Sequence, residues 1–259
     1  MSKVIAIVNE KGGVGKTTTA TTISYLLGKQ GKKVLLIDFD GQANSTMIMG
    51  DKNPNEIEIT ISTLINKVIT KDSLPQKEDY IIKNKGIDLI PANSNLFTLE
   101  RNLCNINFRE YILQSLIDEI KIDYDYIIID CMPQIGTPMI NVMMASDSLI
   151  IPTQAEILSA KGLSELVKHY LTIKNINRKL SIDGILITMD TKNTIASKEV
   201  KKILNESFKQ HINIFDIVIP RSTKVSEANI YKQTICEYMP ENAVSKAYEQ
   251  LVQEMMKIE

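Results

Sequence analysis

Residues 9–18 read Asn-Glu-Lys-Gly-Gly-Val-Gly-Lys-Thr-Thr, between a β-branched apolar run at 3–8 and an apolar pattern of helical spacing at 17–29. No other segment restricts the fold as much. Three glycines at a strand-to-helix junction let backbone N–H groups converge on an anion at a distance that a Cβ would forbid. The helix that follows adds its positive dipole end, Lys16 adds a point charge, and the hydroxyl of Thr17 directly after it is placed for a hard divalent cation. The strict pattern G-x-x-x-x-G-K-[ST] is not met, because Glu10 stands where its first glycine belongs; a second lysine, Lys11, opens the loop instead.

A loop of this kind needs a strand behind it, and the rest of the chain supplies more. Apolar runs at 33–37, 88–91, 126–129, 148–151, 184–187 and 214–219 alternate with helix-like segments. Runs apolar on both faces are what a buried parallel sheet requires, with helices as crossovers. The expected fold is α/β, doubly wound and mostly parallel, flanked by helices, as one domain over 1–259. Residues 50–84 are the least regular stretch and are expected to form a surface excursion around a helix at 60–69. A last helix is expected over 241–258, with apolar positions at Val244, Ala247, Tyr248, Leu251, Val252 and Met255.

Composition narrows the class. The 259 residues carry 30 Lys+Arg against 31 Asp+Glu, a net charge of −1, so the chain as a whole is no polycation. The three cysteines Cys104, Cys131 and Cys236 include no C-x-x-C pair, which excludes a disulfide scaffold or an all-cysteine zinc site and points to a reducing cytoplasm. Cys131 is expected to be a small buried hydrophobe, and His169 and His211 surface residues. The sequence shows no signal peptide and no apolar run long enough to span a bilayer.

Four separated segments resemble the ParA/Soj/MinD family of deviant Walker A P-loop ATPases, and among them the ParA-type partition ATPases. They are KGGVGKTT at 11–18; Ile37-Asp38-Phe39-Asp40-Gly41-Gln42-Ala43-Asn44, similar to D-x-D-P-Q-G-N; YDYIIIDCMPQIG at 124–136, similar to Y-D-x-I-I-I-D-x-P-P-S-L-G; and IPRSTKVSEA at 219–228, similar to I-P-R-N-x-x-L-S-E-A. The resemblance implies ATP and Mg²⁺ as ligands and an ATP-sandwich homodimer. It implies that Lys11 crosses to the partner's phosphates and that Gly12 lies where the subunits meet. Gly13, Val14, Gly15, Lys16, Thr17 and Thr18 would cradle the phosphates, with Pro220 and Ser222 also at the nucleotide. Thr17 would ligate Mg²⁺, Asp130 would hold it through water, and Asp38 is a further metal candidate whose alternative is a strand-end cap. Asp40 would position the attacking water. The sequence departs from the family pattern at Gly41, Ala43, Met132, Gln134 and Ser222.

The resemblance also implies nonspecific DNA binding by the dimer and a ParB-like centromere-binding partner that stimulates hydrolysis, hence a nucleoid-associated protein in the cytoplasm. Residues 192–232 carry net +4, leaving −5 elsewhere, and Lys198, Lys201 and Lys202 fall on one helix face opposite Val200, Leu204 and Phe208. Lys192, Lys198, Lys201, Lys202, Arg221 and Lys224 are the candidate DNA contacts. The first strand begins at Lys3, so no N-terminal helix-turn-helix extension is expected. The rival within the family is a MinD-like membrane-associated positioning ATPase; the final helix, rich in glutamate, argues against a lipid anchor, and no membrane partner is expected.

Overall fold

Residues 3–7 form a strand whose Val4 and Ala6 pack into one apolar layer while Ile5 and Ile7 pack into another. The same two-sided burial recurs along the neighbouring strands, and each fully buried side chain of this size contributes about 2 kcal/mol. The computed structural model describes residues 2–191, 195–209 and 211–258. Among them the strands are β1 (Lys3–Ile7), β2 (Val34–Phe39), β3 (Ile82–Asn84), β4 (Ile87–Ile90), β5 (Tyr126–Cys131), β6 (Ser148–Gln154), β7 (Ser181–Asp190) and β8 (Ile214–Pro220). They make one sheet in the order β3-β4-β2-β5-β1-β6-β7-β8. Every pairing is parallel except that of β3, which runs antiparallel to β4 at the edge.

The helices are α1 (Lys16–Lys29), α2 (Asn44–Met49), α3 (Ile61–Thr70), α4 (Lys77–Tyr80), α5 (Leu99–Leu103), α6 (Ile112–Ile120), α7 (Thr137–Ala145), α8 (Ile157–Lys174), α9 (Ile195–Phe208), α10 (Lys224–Ile230), α11 (Ile235–Tyr238) and α12 (Ala243–Ile258). Residues of α1, α2, α10, α11 and α12 cover one face of the sheet, and residues of α3 and α5–α9 cover the other. The expected doubly wound, mostly parallel architecture is what forms.

One local expectation is corrected. Residues 50–84 are not merely superficial, since α3 inserts Ile61, Leu64 and Ile65 into the core and β3 extends the sheet. Strand β3 is three residues long and too short to show an alternation. In α12 the apolar positions named above are all buried against the sheet.

The central strand β1 lies between β5 and β6, with β2 and β4 beyond on one side and β7 and β8 on the other. The chain therefore winds away from β1 in both directions, and the crevice at the carboxyl ends of these strands is where such sheets bind ligands.

Candidate active site

The loop that leaves β1 is held from behind. Asn9 donates from Nδ2 to the Pro152 carbonyl at 2.7 Å and accepts from the Lys11 N–H at 2.9 Å. Gln154 donates to the Gly13 carbonyl at 2.9 Å, and Thr188 donates to the Val14 carbonyl at 2.8 Å. The ends of β6 and β7 thus fix the loop's carbonyls. Gly13 and Gly15 have φ of +74° and +87°, in the left-handed region that favours glycine. The N–H groups of Lys16, Thr17 and Thr18 open α1 and have no preceding helical carbonyl to bond; the ladder begins with Thr19 donating to Gly15 at 2.9 Å. Lys16 is buried and bridges back to the Lys11 carbonyl at 3.0 Å. Burial lowers the pKa of its ammonium, while Asp130 and Asp40 favour the charged form.

Asp130 and Asp40 stand beside that lysine, and Asp38 stands beside Asp130. Parallel pairing of β2 with β5 sets Asp38 opposite Asp130. Asp130 Oδ2 accepts from the Ser45 hydroxyl at 2.8 Å, whereas its Oδ1 is buried without any hydrogen-bond partner. Burial raises its pKa, opposed by the Thr17 and Ser45 hydroxyls, which favour the charged form. Asp38 accepts from the N–H and the hydroxyl of Thr46 at 2.8 and 2.7 Å, and from the Asp40 N–H at 3.3 Å. Its Oδ2 seats the first turn of α2 and its Oδ1 holds the loop at Asp40, the capping alternative to a metal role. Burial, and then the charge of Asp130, raise its pKa strongly. Asp40 accepts from the Gln42 N–H at 2.9 Å and keeps a small accessible edge.

Oxygen donors from Thr17 and Asp130, with one buried carboxylate oxygen unmatched, suit a hard divalent cation that keeps most of its own waters. No cluster of three or more acidic, histidine or cysteine ligands exists among the described residues, so such an ion would complete its shell from water and phosphate.

Next to the loop is a cavity of about 330 Å³ lined by Gly15, Thr18, Met189, Pro220, Ser222 and Tyr248, among others. Pro220 and Ser222, some 200 positions from the loop in sequence, are thereby brought to it. Ser45, Thr46, Gln154, Thr188 and Met189 were not anticipated as site residues. Ser45 and Thr46 directly follow the Asp38–Asn44 motif, and Gln154 and Thr188 end strand-like runs, so position along a strand was the signal available for them.

Comparison with known proteins agrees with this geometry. A family described as an AAA domain matches residues 2–182. Sporulation initiation inhibitor protein Soj of Bacillus subtilis is 36% identical over 259 residues, covering 98% of each chain. The chain belongs to the ParA/Soj family. Among solved structures, a plasmid partition protein from Borrelia burgdorferi is 25% identical with a TM-score of 0.77, over 99% of this chain and 98% of that one. A cobyrinic acid a,c-diamide synthase from Mycobacterium smegmatis with bound ADP and magnesium is 27% identical with a TM-score of 0.84, over 99% of this chain and 95% of that one.

The departures from the ParA/Soj pattern have structural counterparts. Ala43 takes the glycine position of the second motif and still has φ +55°, so the left-handed corner persists without glycine. Gly41 replaces the proline, and a Cβ there would come within 2.8 Å of the Phe97 ring. Met132 is buried in the core, and the buried Cys131 thiol is pushed well above its ordinary pKa, as befits a core residue.

Of the residues that the ParA/Soj pattern places at the subunit boundary, Gly12 faces open space and Lys11 forms an ion pair with Glu156 at the end of β6. The candidate DNA contacts divide. Lys192 lies outside the described residues. Lys201 pairs with Asp190 at 2.8 Å, Lys224 with Glu227 at 2.7 Å, and Lys202 more loosely with Glu206 at 3.9 Å. Lys198 and Arg221 are exposed and have no ion pair among the described residues. The patch of six cations is therefore partly neutralised within the chain, which the count of charges along the sequence could not reveal.

Proposed function

We propose that the protein is a Mg²⁺-dependent ATPase of DNA partition. In this reading it pairs as a nucleotide-sandwich homodimer, holds DNA nonspecifically, and hydrolyses ATP slowly until a ParB-like partner stimulates it. The observation that carries the proposal is the convergence at one sheet edge of the Gly13–Gly15 loop, buried Lys16, and Asp130 with its unmatched oxygen. Asp40 stands at the same edge, buried but for a small accessible part.

In this reading the amides of Gly13 to Thr18 bind the phosphate oxygens, and Lys16 neutralises the β- and γ-phosphates. Thr17 would ligate a Mg²⁺ and Asp130 would hold it through water, and the ion would supply charge neutralisation to the transferring phosphoryl group. Asp40 orients a water for in-line attack, and the cavity beside Gly15 receives the base and sugar, with Pro220 and Ser222 in its wall. Lys11 exchanges Glu156 for the partner subunit's phosphates. Such a charge supplied in trans is worth roughly 10³–10⁵ in rate in arginine-finger enzymes. Asp38 acts by seating α2, so that Ser45 reaches Asp130.

The loop opening Lys11-Gly12-Gly13 and the Ser226-Glu227-Ala228 segment favour partition over a synthase reaction of the kind carried out by the Mycobacterium smegmatis protein. Membrane association through α12 is disfavoured because its apolar face is buried in the core, and no described helix is long and apolar enough to cross a membrane. The deciding experiment measures ATP turnover alone, with duplex DNA, and with DNA plus the product of the adjacent gene. Turnover should be slow alone, rise with both, and collapse in Asp40→Ala while ATP-dependent dimerisation survives. Turnover that requires an amide donor and a small acid would overturn the reading.

A further inference from the structure

Helix α9 carries three lysines, and one of them is held by a buried carboxylate next to a residue of the cavity wall. Lys201 Nζ donates to Asp190 Oδ2 at 2.8 Å, and the Ser197 hydroxyl donates to Oδ1 of the same group. The Asp190 side chain is 3% exposed, against 32% for Lys201. A buried carboxylate thus fixes α9 at two points one turn apart and neutralises a cation that would otherwise face solvent.

Asp190 adjoins the cavity through its neighbours in chain and sheet. Its neighbour Met189 lines the cavity and has φ +51°, a left-handed conformation uncommon for a side chain of this kind. Gln154 donates to Met189 Sδ at 3.0 Å and to the Gly13 carbonyl of the phosphate loop. On the other side, the Asp190 carbonyl accepts from the Arg221 N–H at 3.0 Å, and Asp190 pairs with Pro220 across β7 and β8. The corner at 189–190 therefore has the cavity on one side and the basic helix on the other. Strained corners of this sort are where two-state elements are commonly found.

We propose that Asp190 gates Lys201. With the cavity empty, the carboxylate retains the ammonium; filling the cavity shifts the 189–190 corner and releases Lys201 towards a polyanion. The inference rests on the DNA-binding reading and adds to it how nucleotide state sets the number of cations presented. By linkage, DNA captured by the released lysine must in turn tighten nucleotide binding.

The test is fluorescence anisotropy with a labelled random-sequence duplex at low salt, with and without Mg-ATP. One extra lysine on phosphate is worth about tenfold in affinity at about 0.05 M salt and steepens the log–log salt slope by about −0.9. Asp190→Asn without nucleotide should gain that factor over wild type without nucleotide, and Asp190→Asn/Lys201→Gln should lose the gain. Ser197→Ala, which loosens α9 but leaves the charge pair, should show no gain. Lys201→Gln alone, whose amide can still donate to the Asp190 carboxylate, should weaken only the ATP state. Wild type that binds DNA with ATP, together with an Asp190→Asn protein no tighter than wild type without nucleotide, overturns the gate alone. A Lys201→Gln protein unchanged in the ATP state does the same. Wild type that binds no duplex even with ATP overturns the DNA reading and the gate with it.

Discussion

Asp38 and Asp130 face each other in register across β2 and β5, both buried, with the hydroxyls of Thr46 and Ser45 turned to one carboxylate each. Two carboxylates so placed cannot both ionise cheaply, and burial together with the charge of Asp130 pushes Asp38 up to about 8. In the unfolded chain the same group ionises near pH 4, its ordinary value. Between about pH 4 and 8 the folded state therefore binds more protons than the unfolded state, and its stability declines as pH rises through that window. We expect the melting temperature of nucleotide-free, metal-free protein to fall from pH 5 to 8.5 by an amount equivalent to a few kcal/mol. Asp38→Asn, which can still accept from Thr46, should flatten that profile. A slope unchanged in Asp38→Asn would assign the dependence elsewhere.

The two lysines of the phosphate loop should separate by assay. Lys16 is buried beside the carboxylates, and its loss removes a charge-assisted contact worth about 1.5–3 kcal/mol. Lys16→Ala should weaken ATP binding in calorimetry by roughly 10–100-fold at the lower and middle part of that range. Lys11 is half-exposed, and its ammonium is tied to Glu156. Lys11→Ala should leave monomer affinity for ATP within about threefold and abolish the ATP-dependent rise in mass seen by light scattering.

Gly41 and Phe97 make a coupled pair that explains one departure from the family pattern. A Cβ at position 41 would meet the Phe97 ring at 2.8 Å, so the half-exposed ring must swing outward to admit the proline of related sequences. Gly41→Pro should strain the loop bearing Asp40 against the Phe97 ring and cost at most about 1 kcal/mol of stability, the low end for overpacking because the ring is exposed, with a parallel loss of turnover. Adding Phe97→Ala should restore most of both. Additive losses in the double variant would mean that the ring is not the obstacle.

The parallel sheet was legible because β1, β2, β5 and β6 are buried on both faces and read as unbroken apolar runs. The phosphate loop was legible because its chemistry leaves few residue choices at Gly13, Gly15, Lys16 and Thr17. Strand β3 was not, since three residues with Lys83 in the middle carry no pattern. The second ring of the site was hidden for a different reason. Gln154, Thr188 and Met189 act through contacts between distant strands, and nothing local marks them. The ion pairs of Lys201 and Lys224 were likewise invisible to a charge count, which treats every lysine of residues 192–232 alike although Asp190 and Glu227 neutralise two of them.

Those ion pairs make the DNA reading quantitative. Lys198 and Arg221 are the candidate contacts that remain exposed and unpaired among the described residues, two per chain and hence four in the proposed dimer. Four neutralised phosphates give a log–log salt slope of about −3.6. Release of Lys201 in both subunits would steepen it to about −5.4. Titrating a random duplex against the ATP-bound protein over a range of salt concentrations distinguishes the two values. Lys198→Glu/Arg221→Glu should then remove most of the affinity at every salt concentration, because four attractive contacts become repulsive. A slope near zero, or binding that survives this double reversal, would place the DNA contact elsewhere on the molecule.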